Sequence, residues 1–237
     1  MKRKMVWALP IAIIVLAFCF IAKVNAEGGA VTEDDYAFPK ERTYGNAAYT
    51  LIGTGMRYKL PGGGLKIYEA GLYIEKEKGM EAWKKWVAKY GEKFVGSDGK
   101  PDWAKLKGSP KVHYFLYNNS FGHAIVMYFR YSVNANQVRG AYEDSLAKSL
   151  DLKDPDVKKA YDEFLEGVSH PVKKTEIMTI RTSGNTVSAK GPGHNFNVKN
   201  AKLRQAVWKI WLGPDPIQVP LKKGLTRLLE VLGWPEG

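Results

Sequence analysis

Hydrophobic residues alternate with polar or small residues through much of the first half of the chain, which is the pattern of β-strands. A Pro-Gly-Gly-Gly turn at residues 61–64 separates the first two long segments of this kind, so we expect them to pair as neighbouring strands. A Ser-Gly-Asn turn at 183–185 predicts a second hairpin. The predicted strands cover residues 46–57, 65–74, 112–117, 124–133, 175–182 and 186–189.

Hydrophobic residues recur every three or four positions mainly in the second half, which predicts amphipathic helices. Asn134 and Asp154 stand where two of these helices begin, and both residue types cap a first turn. The predicted helices cover residues 80–90, 134–150, 154–168, 202–212 and 221–232. Because strands come first and helices cluster late, the sequence predicts an α+β domain in which helices pack on one face of a mainly antiparallel sheet.

The segment from about 75 to 110 differs in character, because tryptophans recur at helical spacing among many lysines. It is expected to be a helical insertion followed by a loop at 96–101. A helix of this composition on an exported protein is able to make weak contact with a membrane surface. Packing against the edge of the core is the interpretation that we favour.

The N-terminus has the pattern of a secretory signal peptide. Three basic residues at 2–4 precede an apolar run at 5–22, and small residues at 24–26 suit a cleavage site. We expect export, to the periplasm, with residues 1–26 removed and 27–43 forming a polar N-terminal arm before the domain at 44–237. The apolar run is also long enough to serve as an uncleaved membrane anchor, which is the alternative.

The single cysteine of the chain, Cys19, lies in the predicted signal peptide, so packing rather than disulfides must stabilise the exported protein. The net charge is +12, and four of the positive charges lie within residues 1–26, which leaves +8. Such a surface attracts anionic headgroups or acidic ligands, but lysines scattered over solvated helix faces are the better explanation. No basic block with interleaved aromatics is present, so we expect no nucleic-acid partner.

Motifs for metal, cofactor or nucleophilic chemistry are missing from the sequence. The four histidines have no His or Cys partner at ligand spacing, so no metal is expected. Gly53-Thr54-Gly55 begins like a dinucleotide fingerprint, but Tyr58 stands where the third glycine belongs, and no cofactor is expected. Ser145 and Lys148 match a Ser-x-x-Lys pattern without its companion motifs, which we attribute to chance.

Arg57 is then the candidate functional residue, at the end of a glycine-containing strand. Strand geometry would place five alternate residues on one face: Tyr49, Leu51, Gly53, Gly55 and Arg57. The two glycines would leave a floor without side chains beside the arginine. Alternatively the glycines mark a bulge or close backbone packing, and spacing alone favours this second interpretation.

Four segments resemble the chalcone isomerase family, and in particular its bacterial chalcone isomerase-like branch. Residues 51–57 read LIGTGMR and are followed at 65–73 by LKIYEAGLY, while FRYSV at 129–133 and AVWKIWLGP at 206–214 support the match. The resemblance covers the chain from about residue 38 to the last predicted helix. It implies the open-faced β-sandwich of that family.

The resemblance also implies a set of site residues. Arg57 matches the arginine that holds an anionic oxygen of the ligand, and Tyr68 falls where plant isomerases have a threonine and fatty-acid-binding relatives a tyrosine. Asn134 replaces a tyrosine that opens a helix, and Ala141 falls near a helix asparagine of the cleft. The ligand-binding residues that we predict are Arg57, Ile67, Tyr68, Asn134, Val138, Asn195 and Phe196.

The function expected from this set is binding of an amphipathic anion such as a fatty acid. A guanidinium and a phenol would hold its charged group, and an apolar cleft between sheet and helices would hold a long tail. The alternative is an isomerase, an intramolecular lyase that closes a chalcone-like enone to a flavanone with Arg57 as its catalytic residue. Only this arginine is clearly retained. A membrane-associated interaction protein is a third interpretation.

Overall fold

The computed structural model describes residues 29–59 and 64–235, and the predicted signal peptide and most of the turn at 61–64 lie outside them. Nine strands are described: β1 (Ala30–Thr32), β2 (Ala37–Pro39), β3 (Glu41–Tyr44), β4 (Ala47–Tyr58), β5 (Lys66–Glu75), β6 (His123–Phe129), β7 (Ile177–Ser183), β8 (Thr186–Gly191) and β9 (His194–Lys199). Strands β3 to β9 form one sheet in sequence order, with every neighbouring pair antiparallel.

Seven α-helices are described: α1 (Lys76–Tyr90), α2 (Trp103–Gly108), α3 (Pro110–Asn118), α4 (Ala135–Leu146), α5 (Pro155–Val168), α6 (Ala201–Leu212) and α7 (Val219–Gly224). Short 3-10 helices at Gly91–Phe94 and Leu229–Leu232 complete the set. The helices bury their apolar stripes on one face of the sheet, where the main hydrophobic core lies. The predicted α+β class, with a mainly antiparallel sheet and helices on one face, is confirmed.

Strand β4 contains a bulge that changes which side chains share a face. Leu51 pairs with Tyr73 and Gly53 pairs with Leu72, so Ile52 is the extra residue. Tyr49 and Leu51 therefore belong to the smaller core on the outer face of the sheet, away from the helices. Our prediction that they share a face with Arg57 is wrong, because one extra residue reverses the side-chain alternation.

The glycines that follow the bulge allow helix α7 to lie directly on the strand. A Cβ at Gly53 would be 2.4 Å from the carbonyl oxygen of Gly224, and one at Gly55 would be 3.1 Å from that of Leu221. The Leu228 N–H donates to the Ile52 carbonyl at 3.0 Å. The glycines thus serve close backbone packing, and no open floor lies beside Arg57.

The segment predicted as an N-terminal arm contributes to the fold. Strand β3 pairs with β4, and the β1–β2 hairpin covers the outer face, where Phe38 is fully buried. A single carboxylate holds the loop between β1 and β2. Glu69, fully buried on β5, accepts the N–H groups of Asp34, Asp35 and Tyr36 at 3.2, 3.2 and 3.0 Å, and Arg130 donates to it at 2.7 Å.

Residues 112–117, predicted as a strand, lie in helix α3. Ser109 caps this helix by accepting the N–H of Lys111 at 3.2 Å, and Pro110 occupies its first position. Val112, Phe115 and Leu116 are buried at helical spacing, but the same run of aromatic and β-branched residues also suits a strand. The cap and the proline were the signals that could have decided the assignment.

In the C-terminal half, the structure differs from the predicted elements at two further places. Strand β9 was not predicted, and it adds an edge to the sheet by pairing with β8. The last predicted helix is split into α7 and a 3-10 turn, because the chain between them bonds to the bulge of β4. Its leucines at 221, 225, 229 and 232 are nevertheless buried as the helical stripe predicted.

The segment from 75 to 110 packs on the edge of the core through its tryptophans. Trp83 and Trp86 stack with ring centroids 5.2 Å apart, and the Trp83 indole donates to the Gly233 carbonyl at 2.8 Å. Both tryptophans are buried, so α1 presents mainly charged residues to solvent. Among the described residues, no helix has the length and apolar character needed to cross a membrane.

Candidate functional site

An apolar cavity lies between the helix-bearing face of the sheet and helices α4 and α6. Its volume is about 80 Å³. Strands β5, β6 and β7 supply one wall and the two helices supply the other. The lining residues are Ile67, Tyr68, Met127, Phe129, Val133, Gln137, Val138, Ala141, Tyr142, Met178, Ile210, Trp211 and Ile217.

A larger polar cavity of about 580 Å³ adjoins the apolar one, and Ala141, Ile210 and Ile217 line both. The remaining lining residues of the polar cavity are Arg57, Asp144, Ser145, Lys148, Ser149, Lys209, Pro214, Asp215 and Pro216. The two cavities therefore place an apolar recess beside a charged chamber, an arrangement that suits a ligand with one apolar and one polar end.

Three cations and two carboxylates line the polar cavity. Within residues 29–59 and 64–235, no carboxylate lies within 4.0 Å of the side-chain nitrogens of Arg57, Lys148 or Lys209. The guanidinium of Arg57 donates to the neighbouring Tyr58 carbonyl and is half-buried. No described carboxylate thus forms a direct ion pair with Arg57, which leaves its guanidinium available to an anion.

The two strands that flank the turn at 61–64 pair as predicted, and their register makes Arg57 and Tyr68 direct partners. The Tyr68 hydroxyl accepts the indole N–H of Trp211 at 3.2 Å inside the apolar cavity. Burial raises the pKa of Tyr68, and the Trp211 hydrogen bond and the charge of Arg57 oppose this only in part. The phenol therefore stays protonated at neutral pH and keeps a proton to donate.

Four predicted positions line the two cavities. Ile67, Tyr68 and Val138 line the apolar cavity, and Arg57 lines the polar cavity beside it. Ala141, which the resemblance placed near a cleft residue, stands where the cavities meet. The structure thus brings these residues from β4, β5 and α4 to the walls of two adjoining cavities.

The other three predicted site residues lie elsewhere. The side chain of Asn134 caps α4, accepting the Gln137 N–H at 2.9 Å, and Gln137 rather than Asn134 reaches the apolar cavity. Asn195 and Phe196 belong to the edge strand β9, far across the sheet from β5. Phe196 packs on α5, with its ring 5.6 Å from that of Phe164. The alignment by resemblance alone did not foresee strand β9.

Several lining residues carried no chemical signal in the sequence. Met127 and Met178 appear there only as apolar strand positions, and Trp211 only in a helical stripe and in the family motif at 206–214. Lys148 and Lys209 look like two of many surface lysines. Spacing identified the apolar residues as buried, but only the packing of α4 and α6 brings the two lysines to the same chamber as Arg57.

The histidines take no part in either cavity. Burial lowers the pKa of His113 to about 4 and that of His123 to about 3, with nearby positive charge adding to the effect. His123 stacks between Phe121 and Trp208 in the core. These are neutral packing residues at pH 7. In the part of the chain that the structure describes, no cluster of three or more His, Cys, Asp or Glu residues could hold a metal ion.

The fold and the cavities define an α+β protein with a small apolar recess between a sheet and its covering helices. The chain belongs to the chalcone isomerase-like family, since a model of that family matches residues 108–226. The match includes α4 and α6 and leaves out Arg57 and Tyr68. The family predicted from the sequence is therefore confirmed.

A solved structure with a similar fold is the crystal structure of a fatty-acid binding protein from Arabidopsis thaliana. The TM-score is 0.61 at 18% sequence identity, and the alignment covers 86% of this chain and 98% of the other. At this identity the likeness concerns the fold. No curated protein sequence matches the chain significantly.

Proposed function

We propose that this protein binds a small amphipathic anion, with the charged group at Arg57 and the apolar group in the recess beneath α4 and α6. The observation that carries the proposal is the junction of the two cavities. At Ala141, Ile210 and Ile217, the apolar recess adjoins a chamber that is lined by three cations and two carboxylates. Both ends of an amphiphile are thereby accommodated at once.

The chemistry of the junction favours a carboxylate or a similar oxyanion. A guanidinium offers two parallel N–H donors that match a carboxylate, and the protonated Tyr68 phenol supplies a neutral donor from the next strand. Lys148 and Lys209 add positive charge to the same chamber. The fatty-acid binding protein of similar fold is consistent with a ligand of this class.

The test is calorimetric titration with hexanoate. Arg57→Ala should weaken binding by about 1.5–3 kcal/mol, the scale of a hydrogen bond to a charged group. Tyr68→Phe should cost about 0.5–1.5 kcal/mol, the scale of a neutral hydrogen bond. Arg57→Lys should restore only part of the loss, because a point charge lacks the planar fork. Since Arg57 and Tyr68 share one ligand group, the double variant should lose less than the sum.

Arg139→Ala is the matched control for this test. Arg139 lies on α4, is exposed, and lines neither cavity. It should leave hexanoate affinity unchanged while removing the same charge from the protein. Equal affinity of folded Arg57→Ala and wild-type protein, with folding shown by circular dichroism, would refute the proposal.

Cyclisation of a chalcone-like enone is the alternative that the resemblance implies, and here we expect no acceleration beyond about tenfold over the spontaneous reaction. Arg57 and Tyr68 are present, but Asn134 is engaged as a helix cap and Asn195 and Phe196 lie away from the cavities. The measurement is the rate of flavanone formation against a protein-free control. A rate orders of magnitude higher that disappears in Arg57→Ala would instead make the protein an isomerase.

A further inference from the structure

The apolar cavity ends at two methionines that face each other on neighbouring strands. Met127 on β6 and Met178 on β7 are register partners, and their exposed fractions are 1% and 0%. Two residues further along the same face of these strands, Ile125 and Ile180 are register partners and fully buried in the core. Those isoleucines do not line the cavity, so the methionine pair closes it in this direction along β6 and β7, and we call this side the closed end.

The volume in front of this end is small. An apolar protein cavity of about 150 Å³ holds one benzene molecule, and the volume here is about 80 Å³. Pockets for drug-sized ligands are typically about 300–1,000 Å³. The recess therefore has room for only a few methylene groups before a longer chain must meet the methionines or remain in the polar chamber.

The other walls are poorly suited to moving aside. Trp211 is held by the hydrogen bond from its indole to the Tyr68 hydroxyl at 3.2 Å. Tyr142 packs edge-on against Phe164, with ring centroids 5.4 Å apart. The methionines are backed by the fully buried isoleucine pair, so the volume of their side chains sets the depth of the recess.

We infer that Met127 and Met178 are specificity-determining residues that limit the ligand to a short apolar group, so that the protein selects amphipathic anions of about four to six carbons over long-chain fatty acids. This inference rests on the proposed function, since it concerns the apolar end of the same ligand. It replaces the long tail that the sequence suggested with a short one. Carbon atoms beyond the recess would lie among the charged side chains of the polar cavity and add no burial.

The experiment is titration of the purified protein with butanoate, hexanoate, octanoate and decanoate, each below its micelle concentration. Burial of one CH₂ raises affinity about fourfold, from the ~0.8 kcal/mol per methylene of apolar burial. We expect the dissociation constant to fall by about this factor per carbon up to hexanoate. From hexanoate to decanoate it should change by less than about twofold in total.

Shortening Met178 should move the length at which affinity levels off. Met178→Ala removes three heavy atoms from the closed end, so the rise should continue to octanoate or beyond. Met178→Val removes less volume and serves as a second variant if the alanine variant does not fold. Met56→Ala is the matched control, because Met56 is a buried methionine that lines neither cavity. In the Met56→Ala variant, affinity should still stop rising at hexanoate, as in the wild type.

Three results would overturn the inference. A steady rise of wild-type affinity through decanoate would show that the methionines do not limit the length of the ligand. The same levelling point in folded Met178 variants and wild type would exclude them as the stop. In both cases Arg57-dependent binding would persist and the proposed function would stand. Absence of binding at every length, in wild type and Arg57→Ala alike, would instead refute the proposed function together with this inference.

Discussion

Glu69→Ala is expected to lower the free energy of unfolding by about 3–5 kcal/mol, the scale for removing one partner of a buried ionic network. The fully buried carboxylate accepts three backbone N–H groups from residues 34–36 and one donor of Arg130. Its removal would leave those N–H groups without a partner in the protein. Asp34 and Asp35 are exposed, so water can replace the lost acceptor there, and the cost of about 1–3 kcal/mol for an unsatisfied donor applies mainly to the half-buried Tyr36. Arg130 would retain only its contacts with Asp34 and Asp35.

The stability that Glu69→Ala removes should be lost first in the N-terminal hairpin. The loop between β1 and β2 is held to the outer face of the sheet by Glu69, so the hairpin should become susceptible to proteolysis before the rest of the chain. Urea unfolding gives the change in free energy, and limited proteolysis followed by mass spectrometry shows where cleavage begins.

Glu41→Ala is the matched control for Glu69→Ala. Glu41 pairs with Lys76 at 2.6 Å, and both side chains are about half exposed. Such surface pairs contribute about 0–1 kcal/mol. If Glu69→Ala were no more destabilising than Glu41→Ala, the buried carboxylate would not be what holds the N-terminal hairpin.

Gly53→Ala is expected to destabilise the protein by about 3 kcal/mol, at or above the upper end of the usual cost of overpacking. The new Cβ would lie 2.4 Å from the Gly224 carbonyl oxygen and 2.4 Å from the Leu225 carbonyl carbon. Both atoms belong to the backbone of α7 and the residue after it, so no side-chain rotation relieves the clash. The helix must move away from β4, which exposes the leucines that it buries.

Gly140→Ala, in contrast to Gly53→Ala, is expected to stabilise the protein. Gly140 lies within α4, and a Cβ there would meet nothing within 4 Å. Alanine is the better helix former, so this variant should gain about 0.5–1 kcal/mol. Thermal or urea unfolding of both variants tests the pair. Similar stability of the two alanine variants would show that α7 does not rest on the strand as described.

The two predictions bear on function because the sheet and its helices together form the site. Ile217, which precedes α7, lines both cavities, and Tyr68 precedes Glu69 on the same strand. The faces of β5 thus have separate roles. Its inner face carries the apolar cavity, and its outer face anchors the N-terminal hairpin.

The sequence by itself determined the element types of most of the chain, the α+β class, the family, and the neighbourhood of Arg57 and Tyr68. These follow from local information. Hydrophobic spacing reports which residues are buried, and a short turn between two strands dictates that their ends pair across it. For that reason the stripes of α4, α5 and α6 and the β4–β5 pair were predictable.

Tertiary structure alone decided the bulge at Ile52 and the dimensions of the candidate site. The bulge is stabilised where Leu228, far along the chain, donates to Ile52. The depth of the apolar recess depends on how Met127 and Met178 meet across two strands, and the charge of the polar chamber on how α4 and α6 approach β4. Each of these rests on contacts between distant segments, and a local pattern shows that a residue is buried without showing which element buries it.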